Sequence, residues 1–157
     1  MTDTTDTRNR SKEFTIVRVF DATRKVIWRA WTDPDEAPYW LHPRGVSSPR
    51  EHIDFDVREG GTYTYTMIND ADGEKYPTAG TYLELREPER LVFTWGDPGE
   101  SVESAPLITI TLDEEGESGE RTRMTFRLQG FDGQPGDGFV HDGWTSAFEL
   151  LEERIAR

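Results

Sequence analysis

From Ile53 to Leu128 the apolar residues of this chain recur at every second position in one short run after another, and from Val140 to Ile155 they recur at every third or fourth. That change of period constrains the fold more than any other feature. A series of strands followed by one amphipathic helix buries both apolar faces only when the helix lies across the sheet. The runs are Ile53, Phe55 and Val57; Tyr63, Tyr65 and Met67 among threonines; Thr78 to Leu85; Leu91 to Trp95, with Phe93 and Trp95 on one face; Ile108, Ile110 and Leu112; and Met124, Phe126 and Leu128. Turn signals separate them: Gly60-Gly61, Asn69 to Gly73, Arg86 to Glu89 and the acidic segment Glu114 to Glu120. After the glycine-rich loop Gly130 to Gly138, residues Val140, Trp144, Ala147, Leu151 and Ile155 fall on one stripe, with Phe148 beside it.

Ahead of these runs, Phe14, Ile16, Arg18 and Phe20 alternate with Thr15, Val17 and Val19 as a first strand. Val26, Ile27, Ala30 and Trp31 then recur at helical spacing, with Thr23 as N-cap and Trp28 and Trp31 entering the core. Asp33-Pro34 ends this helix and opens a second short one, capped by Asp33, that runs to about Trp40. Pro43 to Pro49 reads as a loop. Residues 1–12 carry too little apolar surface to offset the entropy of ordering and read as a disordered tail, which leaves a single domain over residues 13–157. The expected class is α+β: a curved antiparallel sheet of about seven strands around a long C-terminal helix, with two short helices after the first strand.

Composition narrows the functions. With 18 Lys and Arg against 31 Asp and Glu the net charge is -13, a field that repels phosphates, so no nucleic-acid partner is expected. The absence of cysteine removes disulfides, thiolate nucleophiles and cysteine-ligated metals together. No apolar run approaches the roughly 20 residues of a membrane span. The polar amino terminus lacks an apolar signal segment, so the expectation is a cytoplasmic protein without membrane contact.

Few residues suggest chemistry. His42, His52 and His141 are far apart, and no pair has the i, i+4 spacing of a helical metal motif, so no metal is expected. Asp70-x-Asp72-Gly73 resembles the start of a calcium loop but lacks the later ligands and the closing glutamate, and it reads as a hairpin turn. The serines lack a nucleophile-elbow context. Glu84, were it to face inward, would have a raised pKa and be a candidate acid or base. Alternation sets Tyr82 and Glu84 opposite Leu83 and Leu85, which leaves the inward face of that strand open. His141, at the edge of the helical stripe, is the other candidate. No catalytic residue and no cofactor is assigned.

The arrangement of several motifs resembles one family. They are Ala22 with Val26, Trp28 and Trp31-Thr32-Asp33-Pro34; Trp40 with Pro43; Asp56 to Gly61; Gly80-Thr81-Tyr82-Leu83-Glu84; Pro88 to Trp95; Thr122 to Phe126; and Gly143-Trp144. Over about residues 13 to 156 the chain resembles the activator of heat shock protein 90 ATPase homologue-like family, within the SRPBCC, or START-like, birch-pollen-allergen-like superfamily. Where members carry Gly-Pro after the second helix, this chain has His42-Pro43. The resemblance implies a helix-grip fold with an internal cavity between sheet and C-terminal helix. It does not imply one activity: members are mostly single-domain bacterial proteins without an assigned reaction.

The function expected from these readings is binding of a small apolar or lipid-like molecule in that cavity. The residues expected to contact it are Trp40, Tyr63, Tyr65, Trp95, Phe126, Trp144 and Phe148. Core packing competes with cavity lining for each aromatic, since an aromatic that lines a pocket also packs. The alternatives are a cyclase, aromatase or hydrolase that uses the cavity, as in some relatives of the superfamily, and an interaction module acting on a chaperone ATPase. Homodimerisation through an exposed sheet edge is a further option.

Overall fold

The computed structural model describes residues 10–156. Strand β1 (Glu13–Phe20) leads into helix α1 (Arg24–Thr32), and two very short strands follow, β2 (Val46–Ser47) and β3 (Asp54–Phe55). Five long strands come next: β4 (Thr62–Asn69), β5 (Lys75–Arg86), β6 (Arg90–Thr94), β7 (Leu107–Glu115) and β8 (Arg121–Gln129). Helix α2 (Val140–Ile155) closes the chain. The strands form one curved, open antiparallel sheet in the order β1-β8-β7-β6-β5-β4-β2, with β3 beside β2 on the outer edge of β4. This is the helix-grip α+β fold. Neither helix is long and apolar enough to cross a membrane.

The inward positions of the long strands and the stripe of α2 make one core. Phe20, Ile108, Ile110, Met124, Phe126 and Leu128 from the sheet bury against Trp144, Ala147, Phe148 and Leu151 of the helix. Opposite faces go to solvent, as alternation requires: Val17 and Val19 of β1 are exposed while Phe14 and Phe20 are buried.

Several expectations need correction. Thr23 occupies the N-cap position of α1, but its side chain makes no capping bond; Val26 is exposed, and the buried stripe is Ile27, Trp28, Ala30 and Trp31. The expected second helix is a turn followed by one turn of 3-10 helix, Ala37–Tyr39. Pro34 and Pro38 lie four apart, so Pro38 has no N–H to give the Pro34 carbonyl, and an α-helix cannot propagate. Asp33 does cap that turn, its Oδ1 accepting from Asp35 N at 2.8 Å. The Pro43 to Pro49 loop contains β2. The strand expected over Ile53 to Val57 shrinks to β3, and with β2 it brings the sheet to eight strands. Of the expected tail, residues 1–9 lie outside the described residues. Arg10 to Lys12 already touch the body: the Arg10 guanidinium donates to the carbonyls of Ala105 and Val102, and Gly130 N donates to Lys12 O at 2.7 Å.

Strand β5 explains why its inward face was ambiguous. Tyr82 pairs with Phe93, and Glu84, not Leu83, pairs with Val92, so Leu83 is an extra residue in the ladder. The bulge resets the alternation, and Tyr82 and Leu85 both turn inward while Leu83 is exposed.

Gly80, opposite Tyr63 in the β4–β5 ladder, lets strand and ring approach. A Cβ there would fall on the Thr94 carbonyl oxygen and within 2.6 Å of Tyr63 Cε2. The Tyr63 hydroxyl uses that closeness, donating to Thr94 O at 2.6 Å. Gly80→Ala should therefore destabilise the protein by about 1–3 kcal/mol through overpacking, read as a lowered urea midpoint with little change in m-value.

Candidate functional site

Between the N-terminal half of α2 and the β4–β6 end of the sheet lies a pocket of about 440 Å³, a size typical of small-molecule sites. Three segments build it. Strands β4 and β5 supply Tyr65, Met67, Asn69 and Tyr76, with Trp95 just beyond β6. The first turns of α2 and the residues before it supply Gly138, Phe139, Val140, Gly143, Trp144 and Ala147. The third wall is the segment Leu41, His42, Pro43 and Val46.

That third wall has little regular structure, and polar contacts hold it in place. Arg44 N donates to Ser146 Oγ at 2.8 Å, and the Arg44 guanidinium pairs with Glu153. Glu36 pairs with Arg154 at 3.2 Å, whose guanidinium lies 3.8 Å from the Tyr39 ring centroid. On the other side β2 pairs with the end of β4, and Asp70 N donates to Gly45 O at 3.0 Å. His42 is part of this brace: Nδ1 lies 2.9 Å from Pro43 O and Nε2 3.1 Å from Pro38 O. Both ring nitrogens thus lie within hydrogen-bond distance of backbone carbonyls, and a neutral ring, with one N–H, donates to one of them.

The entry to α2 is fixed by Asp137, which accepts from the backbone N–H groups of Phe139, His141 and Asp142. Desolvation pushes its carboxyl up, but these bonds and one from Gln134 outweigh it and hold the group below the ordinary carboxylate value. Asp142 in turn accepts from Gly136 N and Gly138 N. The loop that carries Phe139 to the pocket rim is therefore pinned by two carboxylates. Phe139 itself is 66% exposed.

The seven residues expected at the site divide by depth. Tyr65, Trp95 and Trp144 line the pocket. Tyr63 lies one layer deeper, on a small inner hollow that also touches Tyr65, Trp95 and Trp144. Trp40, Phe126 and Phe148 are fully buried beneath the walls and do not line the pocket. Trp40 is held there by a bond from Nε1 to Ala30 O at 3.1 Å, and Phe126 and Phe148 pack edge to face at 5.2 Å. For these three, core packing describes their surroundings.

The two acid–base candidates lie elsewhere. Glu84 is on the outer face, accepting from Arg86 Nε at 2.9 Å and Arg90 Nε at 3.1 Å. The Arg90 bond, opposed by desolvation and aided by the charges of Arg90 and Arg86, holds its carboxyl below the usual value, the reverse of the shift an inward glutamate would have. His141 packs on the Phe14 ring with centroids 5.0 Å apart and is not among the pocket walls. Among the described residues no cluster of His, Asp and Glu could hold a metal ion.

The family profile described as Activator of Hsp90 ATPase homolog 1-like protein matches residues 21–156. The chain belongs to this family. Solved structures agree on the fold. A protein from Chromobacterium violaceum is 26% identical, with a TM-score of 0.76 over 91% of this chain and 96% of its own. One from Nitrosomonas europaea is also 26% identical, with a TM-score of 0.74 over 92% and 94%. The AHSA1 protein from Silicibacter pomeroyi shares 21% identity and the fold, with a TM-score of 0.72 over 92% and 97%. No curated protein matches the chain.

Sequence reasoning missed several walls of this family member's pocket. Val46 sits in a strand too short to show a period, and Asn69 and Tyr76 flank a turn. Phe139 had a readable signal, a large aromatic between a glycine and the start of a helix. Gly143 was noted only as part of a motif.

Burial shapes the phenols. It pushes Tyr65 up to about 12, against the bonds from Trp95 and Thr78 that act in the other direction. Burial also raises Tyr63 and Tyr82, with Tyr65 and Tyr82 adding to it for Tyr63 and Asp56 for Tyr82. Phenols with folded pKa values above the unfolded value of about 10 give stability that is complete below pH 10 and lost as pH rises through the folded value. Between about pH 10 and 12 the unfolding free energy should fall by roughly 1.4 kcal/mol per pH unit for each such phenol. Urea titrations across that range should show the slope, and Tyr65→Phe should reduce it by one phenol's share.

Proposed function

We propose that this chain is a single-domain cytoplasmic binding protein, over residues 13–157, that holds one small, largely apolar molecule between α2 and the sheet. Gly143 is the observation that carries this reading. Glycine inside a helix costs about 0.5–1 kcal/mol relative to alanine. Here no positive φ requires it, and a Cβ at this position would meet nothing within 4 Å. Neither conformation nor packing accounts for the missing side chain; what it leaves is room in the pocket.

The character of the walls supports the same reading. They are aromatic and aliphatic, with His42, Asn69 and the Tyr65 and Tyr76 hydroxyls as the main polar points, and none of the lining residues is Asp, Glu, Lys or Arg. A charged ligand would lose its hydration there without a compensating partner. Binding also fits better than turnover: both nitrogens of the histidine in the wall face backbone carbonyls, and no carboxylate is among the lining residues to complete an acid–base pair.

Position 143 separates binding from folding. Gly143→Ala should raise the urea midpoint, by about 0.5–1 kcal/mol of stability. Gly143→Leu should stay folded and lose the affinity for an uncharged naphthyl probe that the wild type is expected to show in a fluorescence titration. A folded leucine variant that binds as the wild type does would sink the proposal.

A further inference from the structure

The inner hollow says what the ligand must offer. It measures about 20 Å³ and shares Leu41, Tyr65, Trp95 and Trp144 with the main pocket. That is room for one oxygen-sized group, since a single water needs roughly 10–15 Å³. Trp31 and Tyr65, both among its walls, carry hydrogen-bond donors. Trp31 is 6% exposed, and its Nε1–H has no acceptor among the described residues. A buried donor without a partner is costly and rare in folded proteins.

The second donor is Tyr65. Its oxygen accepts from Trp95 Nε1 at 3.0 Å, and the Thr78 hydroxyl reaches the same oxygen. A threonine hydroxyl can give or take that bond, so the phenol proton can be turned from Thr78 to a ligand oxygen. The neighbouring Tyr63 hydroxyl is spent on Thr94 O and Trp95 Nε1 on Tyr65, while Trp31 Nε1 is the buried side-chain donor of these walls that has no partner among the described residues. No Asp, Glu, Lys or Arg lines either space. A site with neutral donors and no counter-charge favours a neutral acceptor over a carboxylate or sulfonate.

Resting on the binding reading above, we propose that the ligand is an uncharged, flat apolar molecule with a carbonyl-type oxygen at its inner end, and that the Tyr65 hydroxyl and the Trp31 indole N–H donate to that oxygen. The flat body lies between Trp95, Trp144 and Met67, and the oxygen fills the hollow. Preference for a carbonyl over its alkyl counterpart then follows from two donors that an alkyl group leaves unpaired.

Three probes test this on the full-length protein: a dialkylamino naphthyl ketone, the matching alkyl naphthalene, and a naphthalene sulfonate. The wild type should bind the ketone, bind the alkyl analogue more weakly and reject the sulfonate. Tyr65→Phe should weaken the ketone roughly tenfold, the loss of one hydrogen bond, and leave the alkyl analogue within about twofold. Trp31→Phe should act in the same direction. Should that variant not fold, the infrared carbonyl stretch of the ketone carries the test: it should lie at lower frequency on the wild type and move back up on Tyr65→Phe. Equal losses for ketone and alkyl analogue, an unshifted carbonyl stretch, or sulfonate binding as tight as the ketone's would each overturn the acceptor assignment. In those cases sensitivity to Gly143→Leu would keep the pocket reading intact. If neither uncharged probe binds the wild type, both readings fall together.

Discussion

The indole of Trp31 touches five other rings: Trp40 at 4.7 Å, Phe93 and Trp144 at 6.0 Å, Phe148 at 6.2 Å and Phe126 at 6.4 Å between centroids. These come from the loop after α1, from β6, from β8 and from two successive turns of α2. One side chain, carried by a nine-residue helix, therefore joins the sheet, the closing helix and the irregular segment between them. Aromatic pairs of this kind add about 0.5–1.5 kcal/mol each beyond the area they bury. The pocket inherits this arrangement, because Trp144 is both a member of the cluster and a wall. Deep core and site are two sides of the same rings.

Charge is distributed with the same sharpness. Among the described residues no Asp, Glu, Lys or Arg is buried, and guanidinium groups of the outer sheet face meet carboxylates across strands, as Arg127 meets Glu13 at 2.7 Å and Arg90 meets Glu84 at 3.1 Å. Such exposed pairs contribute little each, but they leave the interior to neutral groups. The walls of the pocket accordingly offer shape and neutral hydrogen-bonding groups.

The long strands and α2 were readable because each buries one face, and a half-buried element writes its period into the sequence. Elements defined by a partner were not. β2 exists through two pairings with β4 and has no period of its own. The bulge at Leu83 breaks the alternation on which reading β5 depends. The proline pair at Pro34 and Pro38 looked like a helix start because Pro34 alone fits one. At the site, Trp40 and Trp95 are the same residue in the same kind of setting, and only depth in the fold separates the packed ring from the lining one. That aromatics pack between sheet and helix was legible; which of them line the pocket was not. Gly143 shows what such reading overlooks, since a wall can be defined by the atoms a residue lacks.

The wall running from Leu41 to Val46 is held partly by ion pairs at and beside it, the exposed Arg44 with Glu153 and the half-buried Arg154 with Glu36, and partly by backbone pairing at the end of β4. Screening by salt acts on such charges and scarcely on the aromatic core behind them. One face of the pocket thus rests partly on charges that salt screens, while the opposite face is aromatic core. The two sides of the hollow are therefore unlike in what holds them, one by charge and backbone pairing and the other by packed rings.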